Sequence, residues 1–271
     1  MSSSTPDSAT LPSSLVNGEG LSTVSIDANG STRMLSTSPK WKNATCVFCG
    51  SSEGNDAEFL SAAAQIGKAF AEESMPLVYG GGTRGLMGAV AQSTYASGGR
   101  VLGIMPSALM FFERGGDSPL SEAIKRPIPA SSATEDDRSV FVHVETMHER
   151  KQMMADHADG GFIALPGGFG TMEEILEMVT WSQLRIHTKP VILLNINDFY
   201  TPLRTFISGS VQSGFIKPAN EALLVFLSGP QDVQERATWD WGKASVKALR
   251  DWQNSSKGDA YQLNWDLKRA Q

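Results

Sequence analysis

Arg150, Lys151, Glu173 and Glu174 are the side chains of this chain best suited to chemistry on an anionic substrate. The two glutamates close the run Pro166-Gly167-Gly168-Phe169-Gly170-Thr171-Met172-Glu173-Glu174, set between an apolar strand and an amphipathic helix. Glycine has no Cβ, so backbone N–H groups at Gly167, Gly168 and Gly170 can approach an anion closely. A helix N-terminus adds unpaired N–H donors and a partial positive charge. The junction therefore suits a phosphate, and carboxylates beside it conflict in charge unless they lie further along the ligand. Successive helical residues differ by about 100° around the axis, so Glu173 and Glu174 face different ways. With the phosphate of a nucleoside monophosphate in the loop, one of them reaches the ribose. There a carboxylate can accept ribose hydroxyls, orient a water, or stabilise positive charge at the anomeric carbon.

Two blander readings compete. Thr171-Met172-Glu173-Glu174 fits a capping box, with Thr171 as N-cap and Glu174 reaching back to it, although a cap alone does not need the glycines ahead of it. Arg150 and Lys151, in Thr146-Met147-His148-Glu149-Arg150-Lys151, are either solvated helix-surface charge or cations at the site. In the second reading the planar fork of Arg150 holds the nucleotide or pairs with the acid.

A second glycine loop, Gly80-Gly81-Gly82-Thr83-Arg84-Gly85, matches the dinucleotide spacing G-x-G-x-x-G after a strand. That fingerprint needs an acid about 20 residues on for the ribose, and none occurs between Glu73 and Glu113. The loop thus reads as a contact for a smaller nucleotide, through Gly81 and Gly82. No Gly-Lys-Ser/Thr ending exists, which argues against triphosphate hydrolysis. Cys46 and Cys49 lie on one predicted strand and point to opposite faces, so they read as packing residues. The four histidines show no ligand spacing, and neither a metal nor a cofactor is expected.

The elements that must position these residues follow from the pattern after Trp41. Short β-branched runs alternate with helical stretches, the mark of βαβ units and a parallel sheet. Strands are expected at 45–49, 77–79, 100–105, 140–144, 161–165 and 191–195. Helices are expected at 56–73, 86–96, 146–157, 171–185, and near 198–213 and 230–250. The fold class is α/β, a Rossmann-like doubly wound parallel sheet in a single domain over residues 41–250. A disordered tail is expected at 1–40, a polar C-terminal extension at 251–271, and 107–139 has no readable pattern. The glycine loops fall at strand carboxyl ends, where such folds bind ligands. The helix Met172–Leu184 carries more apolar surface than one core-facing stripe needs, which points to a subunit contact.

Composition narrows the function classes. Of 271 residues, 41% are apolar and 19% charged, and the net charge is −6, so no basic footprint for nucleic acid exists. No apolar run approaches the ~20 residues of a membrane helix. With no targeting pattern at the N-terminus, the expected setting is cytoplasmic.

Several of these segments together resemble the LONELY GUY family of cytokinin-activating phosphoribohydrolases. Pro166–Glu174 fits its PGGxGTxxE signature, and Met147–Lys151 resembles its MHxRK segment. Cys49-Gly50-Ser51-Ser52, Val78–Gly82 and Gly85-Leu86-Met87-Gly88 follow the family's order. The resemblance implies hydrolysis of the N-glycosidic bond in N6-modified adenosine 5′-monophosphates, giving free base and ribose 5-phosphate. It implies Arg150 and Glu174 as the catalytic pair, Arg150 acting electrostatically because its pKa is too high for a general acid. Gly167, Gly168, Phe169, Gly170 and Thr171 would surround the 5′-phosphate. Met147, Lys151, Met172, Glu173, Gly81 and Gly82 complete the expected substrate contacts. Thr180 matches a ligand-site or neighbouring-subunit position, and a homodimer or an assembly of dimers is implied. Two other readings stay open: a nucleosidase acting on AMP, and a non-catalytic nucleotide carrier on the same fold.

Overall fold

Alternate residues of the first central strand enter two separate cores. Val47 and Cys49 pack with Ile66, Phe70, Leu86 and Trp241. Cys46 and Phe48 pack with Met154, Phe162, Ile175 and Tyr200. The two thiols are therefore free, buried and on opposite faces, as their spacing on a strand requires. A sheet covered on both faces reads as continuous apolar strands, and Val191–Leu194 and Leu77–Tyr79 are wholly buried. Ile66 and Phe70 have no exposed surface, and each contributes roughly 1.5–3 kcal/mol by leaving water.

The computed structural model describes residues 24–26, 32–34, 41–109 and 138–253. Most of the expected 1–40 tail, the stretch 110–137 and the extension beyond Gln253 lie outside the described residues. Within the first of these, β1 (Val24–Ile26) pairs antiparallel with β2 (Thr32–Met34). The main sheet is built from β3 (Thr45–Phe48), β4 (Leu77–Tyr79), β5 (Val101–Pro106), β6 (Ser139–Val144), β7 (Gly161–Ala164), β8 (Val191–Leu194) and β9 (Val225–Leu227). The helices are α1 (Ala57–Glu72), α2 (Gly85–Ala96), α3 (Met147–His157), α4 (Phe169–Gln183), α5 (Thr201–Gln212), α6 (Val233–Ala237) and α7 (Trp241–Gln253).

All seven strands run parallel in the order β6-β5-β4-β3-β7-β8-β9. The chain steps outward from β3 to β6, then returns through α3 to place β7 on the other side of β3. β3 and β7 therefore flank the topological switch point, where the loops leaving them diverge and open a crevice. The glycine run follows β7 directly, so the order of strands puts it at that crevice.

Two expectations need correction. The helix expected across 230–250 is two helices, α6 and α7, separated at Thr238–Asp240. The edge strand β9 did not stand out, because three apolar residues are too few to show a period.

Candidate active site

Helix α4 starts inside the glycine run. Its N-cap is Gly168, which offers no side-chain cap, and the first internal bond runs from Met172 N–H to the Gly168 carbonyl at 3.1 Å. Thr171 thus stands in the first turn, not at the N-cap, and the capping-box reading of 171–174 does not hold. The box is instead at the other Thr-x-x-Glu. Thr146 Oγ1 accepts from Glu149 N–H at 3.1 Å, and Glu149 Oε2 accepts from Thr146 N–H at 3.2 Å. That cap fixes the start of α3, the helix that carries Arg150 and Lys151.

The glycines divide by what surrounds them. A Cβ on Gly167 would sit 2.2 Å from Thr171 Oγ1, so packing demands glycine there. A Cβ on Gly168 or Gly170 would meet nothing within 4 Å. Those two positions border open space in front of an uncapped helix start, the geometry of an anion site.

The three rim loops are stitched together. Gly50 N–H donates to the Pro166 carbonyl at 3.0 Å, and Leu86 N–H donates to the Gly50 carbonyl at 3.1 Å. Gly85, at φ +58°, presses against Ser51, where a Cβ would lie 2.4 Å from its carbonyl carbon. Tyr200 Oη supports the β7 end from below by donating to the Leu165 carbonyl at 2.7 Å.

Between β3 and α4 lies a cavity of about 270 Å³. Arg150 and Glu174 form its charged floor beside Thr171, Gly168 and Gly170, while Phe48, Met87 and Met154 give it apolar walls. Arg150 Nη1 donates to Glu174 Oε1 at 2.6 Å, and Arg150 Nε donates to the Ile104 carbonyl at 3.2 Å. Both side chains are more than nine-tenths buried, at 9% and 8% exposure. Burial pushes the Glu174 carboxyl above its usual range, and the Arg150 guanidinium partly offsets that. Cys49 also lines the cavity; burial, reinforced by the Glu174 charge, holds its thiol protonated.

Six expected site residues thus converge on the cavity: Arg150, Gly168, Phe169, Gly170, Thr171 and Glu174. Phe169 stands at its mouth, 98% exposed. Lys151 is buried but turned away from it, paired with Glu173 and, at 2.9 Å, with Glu177. Burial pulls the Lys151 ammonium down, yet its hydrogen bonds with the two glutamates outweigh this and leave it more firmly protonated. Met147 is exposed on the first turn of α3, and Thr180 is exposed on α4, where its hydroxyl donates to the Leu176 carbonyl at 2.8 Å. Met172 is half-buried against the core, Gly81 packs its backbone on Met105 at φ +80°, and Gly82 faces Met87. These last residues, with Gly167, stand around the cavity without lining it. Sequence reasoning placed the loop of Gly80 at this rim but missed Met87 and Met154 as lining residues, since apolar positions carry no chemical signal. Among the described residues no group of His, Cys, Asp and Glu is arranged to hold a metal. Nor is any helix long and apolar enough to cross a membrane.

By class, this is a Rossmann-like α/β protein whose switch point joins an uncapped helix start to a buried acid–guanidinium pair. A family model described as "Possible lysine decarboxylase" matches residues 87–237, and one described as the SLOG cluster4 family matches residues 44–114. The cytokinin riboside 5′-monophosphate phosphoribohydrolase LOG2 of Arabidopsis thaliana is 41% identical over 82% of this chain and 94% of its own. LOG3 of the same plant is 39% identical over 83% and 89%. The probable phosphoribohydrolase LOGL3 of Oryza sativa subsp. japonica is 43% identical over 71% and 82%. The chain belongs to the LONELY GUY family. Among solved structures, the molybdenum cofactor carrier protein of Chlamydomonas reinhardtii covers 79% of this chain and 99% of its own at TM-score 0.50 and 17% identity, a likeness of fold alone.

Proposed function

We propose that this protein hydrolyses the N-glycosidic bond of N6-modified adenosine 5′-monophosphates, releasing free cytokinin base and ribose 5-phosphate. One observation carries the assignment of the site: the Arg150–Glu174 ion pair lies on the floor of the same cavity as the uncapped start of α4. The 5′-phosphate sits on the N–H groups of Gly168–Thr171, and the ribose then extends toward Glu174. As the C1′–N bond breaks, its electron pair leaves with the base and positive charge builds at C1′ in an oxocarbenium-like state. The Glu174 carboxylate stabilises that charge and orients the water that adds to C1′, and the proton this water gives up passes to the departing base nitrogen, leaving free base and ribose 5-phosphate. Arg150 is a poor proton donor, so it acts by fixing the carboxylate.

The name of the matching family model raises a decarboxylase reading, which would use a lysine imine. No lysine is among the described residues lining the cavity, and Lys151 is held protonated by two glutamates outside it. A homodimer belongs to the proposal. Leu176 on α4 is 40% exposed, α5 buries none of its residues, and Phe206 and Phe215 stand 67% and 88% exposed; a second copy would cover such a surface. The two buried free thiols suit a reducing, cytoplasmic setting.

Incubation with isopentenyladenosine monophosphate, and separately with AMP, followed by detection of free base, tests the reading. Base release from the modified nucleotide in preference to AMP is expected. Faster turnover of AMP would make the protein an AMP nucleosidase, and binding without base release from either would make it a carrier.

A further inference from the structure

The guanidinium of Arg150 is held on all its edges, and one of them rests where a side chain is missing. Nε donates to the Ile104 carbonyl at 3.2 Å, and Nη1 donates to Glu174 at 2.6 Å. Nη2 lies over Gly80, the residue after β4, where a Cβ would come within 2.0 Å of it and 3.2 Å of Cζ. Gly80 is buried and lines the cavity. Its φ is not in the left-handed region, unlike that of Gly81 at +80°, so the backbone tolerates alanine at 80. The next nearest atom to that Cβ is Met87 Sδ at 3.3 Å, on a flexible side chain. The turn does not require glycine at 80, and the nearest obstacle to a side chain there is the guanidinium.

We propose that Gly80 is a positioning residue for the reaction: the empty Cβ place is the slot that seats Arg150 Nη2 and so aims Nη1 at Glu174. This rests on Arg150 and Glu174 being the reacting pair. It gives Gly80 a role apart from the nucleotide contact that its loop suggests through Gly81 and Gly82. Any side chain at 80 drives the guanidinium sideways, off the Ile104 carbonyl and Glu174. The displaced atoms are the tip of an arginine, so the fold survives while the pair separates.

The test is a double-mutant cycle with Gly80→Ala and Arg150→Ala, read as kcat and KM for base release. Gly80→Ala alone should lower kcat by ~10²-fold, the scale of losing one preorganised electrostatic contact, while KM moves about 3-fold or less. Added to Arg150→Ala, it should cost about 2-fold or less, because no guanidinium remains to displace. The acid limb of the pH–rate profile in Gly80→Ala should also move up, since Glu174 loses the charge that holds its pKa down. A crystal structure of Gly80→Ala should show Arg150 and Glu174 more than about 4 Å apart, beyond ion-pair range. The proposal is overturned if Gly80→Ala acts through KM, if it costs the same factor in both backgrounds, or if the 2.6 Å contact persists. Failure of the underlying reading looks different: Arg150→Ala would keep wild-type activity by itself.

Discussion

Glu174 and Arg150 meet at 2.6 Å with both side chains shielded from water, although they come from different helices on either side of the switch point. Removing water from both charges is costly, and such a pair contributes little net stability compared with apolar packing. Its presence in a cavity beside the uncapped start of α4, the place proposed for phosphate, points to chemistry as the reason. Glu174→Gln keeps the shape and removes the charge. It should lower kcat by ~10²–10³-fold with the fold intact, measured by base release and circular dichroism. Glu174→Ala should also destabilise by about 3–5 kcal/mol, because Arg150 is left buried and uncompensated. Normal hydrolysis by the glutamine variant would remove Glu174 from the mechanism.

The pair also sets a pH dependence. Burial raises the Glu174 pKa above 4.5, and Arg150 opposes the rise. The reaction uses the carboxylate, so kcat/KM should fall as pH drops through that raised value. The acid limb therefore lies above pH 4.5, and not at or below it. Arg150→Met removes the opposing charge, so the limb of its residual activity should move to higher pH. A pH–rate series on both proteins checks the sign; a limb moving down would mean that another group titrates.

Gly167 and Gly170, three residues apart across the start of α4, should respond oppositely to alanine. At Gly167 the new Cβ collides with Thr171 Oγ1, and unfolding free energy should drop by about 1–3 kcal/mol. At Gly170 nothing lies within 4 Å, and stability should stay within about 0.5 kcal/mol. The added methyl instead stands in the space assigned to phosphate, so KM should rise about 10-fold or more. Urea melts and steady-state kinetics separate the two. A Gly170→Ala variant with unchanged KM would move the phosphate elsewhere.

The alternation of strands and helices, and the faces of Cys46 and Cys49, were legible because they depend on local period alone. The meeting of Arg150 with Glu174 was legible only as chemistry: two suitable groups at two strand ends. The fate of Lys151 and Glu173 was not. Both were expected to touch substrate, and in the structure they pair with each other, a meeting of side chains from two helices that neither helix's own period records. Gly80 was hidden for the same reason. Its need for glycine comes from a side chain on a distant helix, which no local pattern records.

The chain holds two Thr-x-x-Glu segments among its helix starts, and the structure treats them differently. At Thr146 the side chain caps α3 and Glu149 closes the box, so Thr146→Ala should cost about 1 kcal/mol. Arg150 lies on that helix, with its N–H donating to the Thr146 carbonyl at 3.1 Å, so fraying there should loosen the guanidinium proposed to act in the reaction, and kcat should fall with stability. Thr171 caps nothing; it lies in the first turn of α4 with its hydroxyl against Gly167 and on the cavity wall. Thr171→Val preserves its shape and deletes the hydroxyl. It should act mainly on KM for the nucleotide, with no loss of helix capping. Denaturant midpoints for both variants, beside their kcat and KM, test the contrast. Equal capping losses at the two threonines would return Thr171 to the role of N-cap and move the start of α4 three residues down the chain.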